Sequence, residues 1–252
     1  NTSYDIIFVC NGSKNRFSVI NNLLQKVKCK KMIIEKIAFL DPKDYNSCIN
    51  LLKIKKIKAW INCNHQTFKS SHEISKNINK KNNFTFLVTG GKFNLISCVL
   101  HYLMFLNSIN RNLLIKNITS FLSDPFESKR KNFYEMYGMI KIQFHNNINF
   151  IIYDNGIGLC EVKKEIITDK KIIRYTENGR FEIVTKNKCI TKTFNIQNDY
   201  QSNLSNILVD NLILKNKCNL PTILDAKYYH KILFKILEKK LGKKNIKKYH
   251  FT

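Results

Sequence analysis

Strand, helix, strand, helix, strand is the rhythm of residues 1–64, and few folds accommodate it. Asp5-Ile6-Ile7-Phe8-Val9-Cys10 is a compact apolar run, and Asn11-Gly12-Ser13 after it supplies turn residues and a helix N-cap. Phe17, Ile20, Leu23, Leu24 and Val27 then recur at helical spacing. Met32-Ile33-Ile34 is too short for a helix core, is β-branched at two of its positions, and suits a buried parallel strand. Asp41-Pro42 sets an N-cap before a proline at the first helical position, and the helix it opens carries Tyr45, Cys48, Ile49, Leu51 and Leu52 as its buried stripe. Ile57-Lys58-Ala59-Trp60-Ile61 closes the series before Asn62-Cys63-Asn64. Strands joined in this way build a parallel sheet through right-handed crossovers, and ligands bind beyond the carboxyl ends of its strands. The adjacent acid and base Glu35 and Lys36 follow Ile34 directly, where charged groups would meet a cofactor or substrate.

The rest of the chain changes period. Residues 65–79 read as a helix leading to the strand Phe84-Thr85-Phe86-Leu87-Val88-Thr89, and Gly90-Gly91 breaks that pattern. Leu95, Ile96, Val99, Leu100, Leu103, Met104 and Leu106 give the next helix a wide apolar face. From about Met139 the period is two, with short strands near 139–144, 148–153, 159–167, 171–176, 180–186 and 189–196. Turn signals such as Asn155-Gly156 and Asn178-Gly179 separate them, as in an antiparallel meander. Two helices, about 200–216 and 222–241, flank Asn219-Leu220-Pro221-Thr222. The expected fold class is α/β plus α+β: the C-terminal half of a Rossmann domain over 1–83, then an open, mostly antiparallel sheet with helices on one face over 84–252. The last helix is expected to pack back on the first part. The G-x-G-x-x-G fingerprint and the first Rossmann strands are absent from these residues, so the reading also expects a fragment whose parent begins roughly two βαβ units earlier, with an apolar sheet edge left open.

The formal charge of +25 raises nucleic acid as a partner. The cations are nearly all Lys spread along the chain, whereas bidentate phosphate and guanine recognition favours Arg; only Arg16, Arg111, Arg130, Arg174 and Arg180 are present. That argues against nucleic acid. The eight cysteines contain no C-x-x-C pair and make no zinc site, so no metal is expected; most read as buried thiols in a reducing compartment. No signal peptide and no bilayer-length apolar run is present, and the expectation is a soluble, cytoplasmic protein.

Several segments carry a further pattern by their order: Asp5 to Ser13, Glu35-Lys36-Ile37, Trp60 to Asn64, Gly90-Gly91 followed by His101, and Asn219-Leu220-Pro221-Thr222 before the final helix. Together they resemble the Gfo/Idh/MocA family of NAD(P)-dependent sugar oxidoreductases. Ser128-Lys129-Arg130-Lys131-Asn132-Phe133-Tyr134-Glu135 resembles a segment of members from surface-polysaccharide gene sets. The resemblance implies NAD or NADP as cofactor, a sugar or nucleotide-sugar substrate, and a homo-oligomer formed through the antiparallel sheet. It implies that Lys36 contacts cofactor and substrate and moves a proton at the reacting hydroxyl. A Lys desolvated at a strand end suits that task. It implies that His101 faces the substrate as acid or base, that Glu35 accepts hydrogen bonds from the nicotinamide ribose, and that Cys10, Asn11, Gly12 and Asn64 line the cofactor. Asn94, Lys129 and Arg130 would touch substrate. Three departures stand out: the signature proline is Ile37, the usual aspartate four positions before the histidine is Ser97, and arginines often found after the sixth strand are His65 and Gln66. A surface lysine and a hydrogen-bonded core histidine are the plainer readings of Lys36 and His101. A catalytically inactive, family-shaped binding or scaffold protein is the rival to the enzyme.

Overall fold

The computed structural model describes residues 2–79, 83–111, 113–158, 160–186, 190–243 and 245–251. Along the chain run β1 (Ser3–Val9), α1 (Arg16–Lys26), β2 (Lys28–Glu35), α2 (Pro42–Ile54) and β3 (Lys58–Asn62). A short 3-10 turn leads to α3 (Lys69–Lys76), β4 (Thr85–Gly90), α4 (Leu95–Ile109) and β5 (Ile115–Leu122). The two-residue strands β6 (Phe126–Glu127) and β7 (Tyr134–Glu135) precede β8 (Gly138–Phe144), β9 (Asn149–Asp154), β10 (Lys163–Ile167), β11 (Lys171–Thr176), β12 (Arg180–Thr185) and β13 (Ile190–Asn195). The helices α5 (Gln201–Leu214) and α6 (Ile223–Leu241) follow. The chain forms two compact units. One comprises Asn1–Asn64, Glu127–Tyr134 and Tyr200–Thr252; the other comprises His65–Phe126 and Glu135–Asp199. The sequence reading divides the chain at 83/84, whereas these units part at 64/65, and α5 and α6 belong with the opening strands.

In the first unit the strands lie parallel in the order β1-β2-β3, with Val9 beside Ile34 and Glu35 beside Asn62. Met32, Ile33 and Ile34 are all buried, as expected of a central strand covered on both faces. Ile20 and Leu24 of α1 and Tyr45, Cys48 and Leu52 of α2 point inward. Leu208 and Leu212 of α5 pack with Ile33, Leu220, Ile6 and Trp60. Burying a side chain such as Leu212 contributes about 1.5–3 kcal/mol. Thr222 and Asp225 form a capping box that starts α6, and the adjacent Pro221 carbonyl accepts from Ile61 N–H at 2.9 Å, tying the helix to β3. β1 is an edge strand, with Tyr4 and Phe8 partly exposed.

The second unit is an eight-stranded mixed sheet in the order β13-β12-β11-β10-β4-β9-β8-β5. The expected meander is interrupted, because β4 inserts between β9, to which it is parallel, and β10, to which it is antiparallel. β5 was not expected; its half-exposed edge position and the register shift near Ile115 blur the alternation that marks a strand. α3 is shorter than the expected 65–79 helix, and Asn77 ends it by donating to the Glu73 carbonyl at 2.9 Å. α4 is apolar nearly all round and buried; Phe86 of β4 meets Phe105 and Tyr102 of α4 and Phe150 of β9 edge-on or tilted.

The segment from β9 to β10 crosses the end of β4. Asn155 N–H donates to Gly90 O at 3.0 Å, and Gly91 N–H donates to Cys160 O at 3.1 Å. A Cβ on Gly91 would lie 2.6 Å from Asn155 Oδ1, which explains the second glycine. The cysteines differ from the reading of mostly buried thiols. Cys48 and Cys63 are buried, Cys29, Cys98 and Cys218 are half-buried, and Cys10 and Cys160 are exposed, because the last two lie in turns rather than in the elements whose apolar neighbours suggested burial. Among the described residues no helix is long and apolar enough to cross a membrane.

Candidate functional site

Each unit presents its own cluster of candidate residues. In the first, the carboxyl ends of the three parallel strands carry Cys10, Glu35 and Asn62. The register sets Asn62 beside Glu35, and its side-chain amide donates to Glu35 Oε1. The turn after β2 is braced by a residue that sequence reasoning did not single out. Arg16, the first residue of α1, is buried, and its Nη1 donates to the carbonyls of Glu35 at 2.7 Å, Ala38 at 3.0 Å and Ile37. Its Nε donates to Asn11 O at 3.1 Å, and Nη2 reaches the same oxygen. One guanidinium therefore clips the turn after β1 to the turn after β2. Burial lowers its pKa to about 10, with Glu35 opposing the shift.

His230 of α6 completes the brace. Its Nε2 accepts from Ala38 N–H at 3.3 Å while Nδ1 donates to Ala226 O at 2.8 Å, which fixes the tautomer of a neutral ring. Burial drives its pKa down to about 3, and the positive charges of Arg16 and Lys36 push the same way. Lys36 sits half-buried in this turn, and the Lys36–Ile37 peptide is cis. Among the described residues its ammonium has no carboxylate partner.

The other cofactor candidates divide. Burial and Glu35 push the thiol pKa of Cys10 up, so it is a neutral edge group. Asn11 Oδ1 is buried and lacks a hydrogen-bond partner among the described residues, although its amide donates to Gly12 O at 3.1 Å. Gly12 has no room for a Cβ, because Phe133 Cζ would stand 2.9 Å from it. Asn64 is buried and gives its amide to Gln201 Oε1 at 2.8 Å, so it serves the start of α5 and Asn62 serves the strand end. Lys129 and Arg130 are exposed. The Arg130 guanidinium lies 4.7 Å over the Phe133 ring, and its charge lowers the pKa of Arg16.

In the second unit, α4 begins after Asn94, which is exposed and left-handed at φ 63°. Glu135 of β7 is buried at that helix start, accepting from Ile96 N–H at 2.9 Å, Ser97 N–H at 3.1 Å and the Ser97 hydroxyl. Ser97 thus holds a carboxylate where the resembled pattern has its own. Asp154, also buried, accepts from the N–H groups of Lys92 at 2.7 Å, Phe93 at 3.0 Å and Gly156 at 3.0 Å. Nearly two turns into α4, the His101 ring stacks on His65 with centroids 4.3 Å apart and planes 18° apart. His65 also meets Tyr102 at 4.8 Å and Phe68 at 4.9 Å. Behind these rings lies Lys164 of β10, whose ammonium is 5.6 Å from the Phe68 centroid, 5.5 Å from Tyr102 and 5.4 Å from Tyr175. Burial lowers its pKa to about 8, against the opposing pull of Glu177 and Cys98. The departures His65 and Ser97 thus each have a partner on or beside α4.

No protein-family model and no curated protein matches this chain. Solved structures do. The dehydrogenase MviM of Clostridium difficile superposes with a TM-score of 0.66 at 15% identity, over 93% of this chain and 79% of that one. UDP-N-acetylglucosamine 3-dehydrogenase GnnA of Acidithiobacillus ferrooxidans gives 0.71 at 10%, over 92% and 77%. The fold is that of these oxidoreductases, a Rossmann part with a C-terminal sheet domain. An inositol dehydrogenase homologue of Azotobacter vinelandii, solved with NADH and myo-inositol, gives 0.66 at 9%, over 91% and 74%. Gal80p of Saccharomyces cerevisiae, solved as a super-repressor mutant, gives 0.69 at 11%, over 93% and 78%.

Proposed function

We propose that this chain is an NAD(P)-dependent oxidoreductase acting on a hydroxyl or carbonyl of a sugar or nucleotide-activated sugar, in the making of a surface polysaccharide. The observation that carries the reading is the carboxyl edge of the parallel sheet. There Glu35 is oriented by Asn62, the Lys36 turn is braced by Arg16 and His230, and Asn11 Oδ1 lacks a partner among the described residues. A hydrogen-bond donor such as a carboxamide or ribose hydroxyl would satisfy that oxygen. A bound nicotinamide supplies the acceptor or donor of hydride. Glu35 and Asn11 are the residues that would hold it, Glu35 accepting from the ribose. Lys36 takes or returns the hydroxyl proton at Nζ, and the His101 imidazole of the second unit is the other acid–base candidate. Arg16 positions this turn without touching substrate.

The test is fluorescence titration of the protein with NADH and NADPH, then turnover with UDP-N-acetylglucosamine and myo-inositol, the compounds named with the structural neighbours. Glu35→Ala should weaken cofactor binding, and Lys36→Ala should lower kcat by about 10²–10⁴-fold with its melting temperature kept. Wild-type turnover in Lys36→Ala would end the assignment. A second reading, an inactive binding protein, is favoured by Ser97 engaging Glu135 in place of the expected aspartate; absence of binding to either cofactor is its signature.

A further inference from the structure

The first unit holds a cavity of about 470 Å³ lined by Lys14, Lys131, Lys248 and His250, with Phe133 and Tyr134 as walls. Its cations come from three distant stretches, and specific contacts assemble them. The Ser13 hydroxyl donates to Phe251 O at 2.7 Å, Tyr134 N–H donates to His250 O at 2.8 Å, and Tyr249 meets Tyr134 edge-on at 4.9 Å. Among the described residues none of the three lysines pairs with a carboxylate. Glu127, in the same turn as Lys131, directs its carboxylate to Asn132 N–H at 2.6 Å. Three lysines thus line one cavity with no carboxylate paired to them among the described residues, and an anion there would be attracted by all three.

Two details narrow the ligand. His250 lines the cavity, and its buried Nδ1 lacks a hydrogen-bond partner among the described residues, which leaves a polar atom unsatisfied at the cavity wall. The aromatic walls are already engaged, Phe133 by Gly12 and Arg130, and Tyr134 by Tyr249, so the cavity recognises charge rather than a stacked base. We infer that this cavity binds a phosphate group, best a pyrophosphate-type anion that several ammonium groups can share. Burial and Lys14 lower the pKa of His250, and a bound anion would pull it back up. None of Asn11, Glu35 or Lys36 lines this cavity, so loss of anion binding here and loss of nicotinamide binding there are separate results.

The experiment is calorimetric titration of the whole protein with inorganic pyrophosphate at low salt. One saturable site is expected, weakened about tenfold or more in Lys14→Ala/Lys248→Ala. The same charge change in Lys53→Ala/Lys55→Ala, at the far end of α2, should leave it unchanged. No saturable binding, unchanged affinity in the cavity variant, or equal loss in both variants would overturn the inference. Competition then identifies the source of the phosphate with the site standing: displacement by UDP marks a nucleotide-sugar diphosphate, displacement by ADP-ribose marks the cofactor's pyrophosphate, and displacement by neither marks the free anion.

Discussion

His65 lies flat against His101, ring on ring at 4.3 Å, so the histidine carried by α4 is covered by the residue that stands where the resembled family often has an arginine. If His101 handles the substrate proton, its orientation depends on that cover. Losing a stacked aromatic contact costs about 0.5–1.5 kcal/mol, so His65→Ala should lower kcat by about two- to tenfold, while His65→Phe keeps the stack and most of the rate. His101→Ala should lose about 10²–10⁴-fold. Steady-state kinetics on the three variants checks this, and an His65→Ala enzyme at full rate would sink the positioning role.

Arg16 should be the most sensitive polar residue of the first unit. Its guanidinium satisfies four carbonyls in two turns, and Arg16→Ala leaves them buried with fewer donors. Breaking such a network costs about 3–5 kcal/mol, read as a lower urea midpoint. Arg16→Lys, a point charge without the planar fork, should recover only part of it.

Lys164 should imprint a slope on stability above neutrality. Its folded pKa is about 8, below the ordinary lysine value of 10.5, so the unfolded chain binds more protons between those values. Stability from this group therefore rises with pH from about 8 towards 10.5, by about 1.4 kcal/mol per unit. The thiols of buried Cys48 and half-buried Cys218, with pKa values pushed up to about 12 and about 11, act in the opposite sense. The reading is thus the difference between wild type and Lys164→Met across pH 8–9.5. Parallel profiles would show that Lys164 titrates normally.

His230 should do the converse in acid. Its pKa of about 3 lies below the ordinary 6.5, so the unfolded state gains a proton first as pH falls. Stability is retained above pH 6.5 and lost below it by about 1.4 kcal/mol per unit. His230→Gln should flatten the denaturation profile between pH 6.5 and 4.5.

The opening strands and helices were legible because each is a short apolar run or stripe between clear turn signals, and Glu35-Lys36 was legible because it ends one of them. Arg16 was not, since an arginine at a helix start looks like a solvated charge until both turns fold over it. Asn62 became visible only through its register with Glu35. Glu135 lay inside a segment already marked, but its carboxylate caps a helix that starts far upstream in the chain. Lys164, flanked by Lys163 and Glu165, is indistinguishable by composition from an exposed strand position; its place on the covered face of the sheet decides its burial.

The position of β4 has a consequence for how the second unit is made. This strand lies at the heart of its sheet, yet both of its neighbours come late: Thr85 pairs with Asn149 and Thr89 with Lys163. During synthesis Phe86 and Val88, together with the apolar α4, leave the ribosome well before any strand exists to lie beside them. Pairing across so long a stretch is slow, and such surface is prone to aggregate meanwhile. The nascent chain thus carries the centre of its sheet unpaired until the residues after Asn149 have emerged.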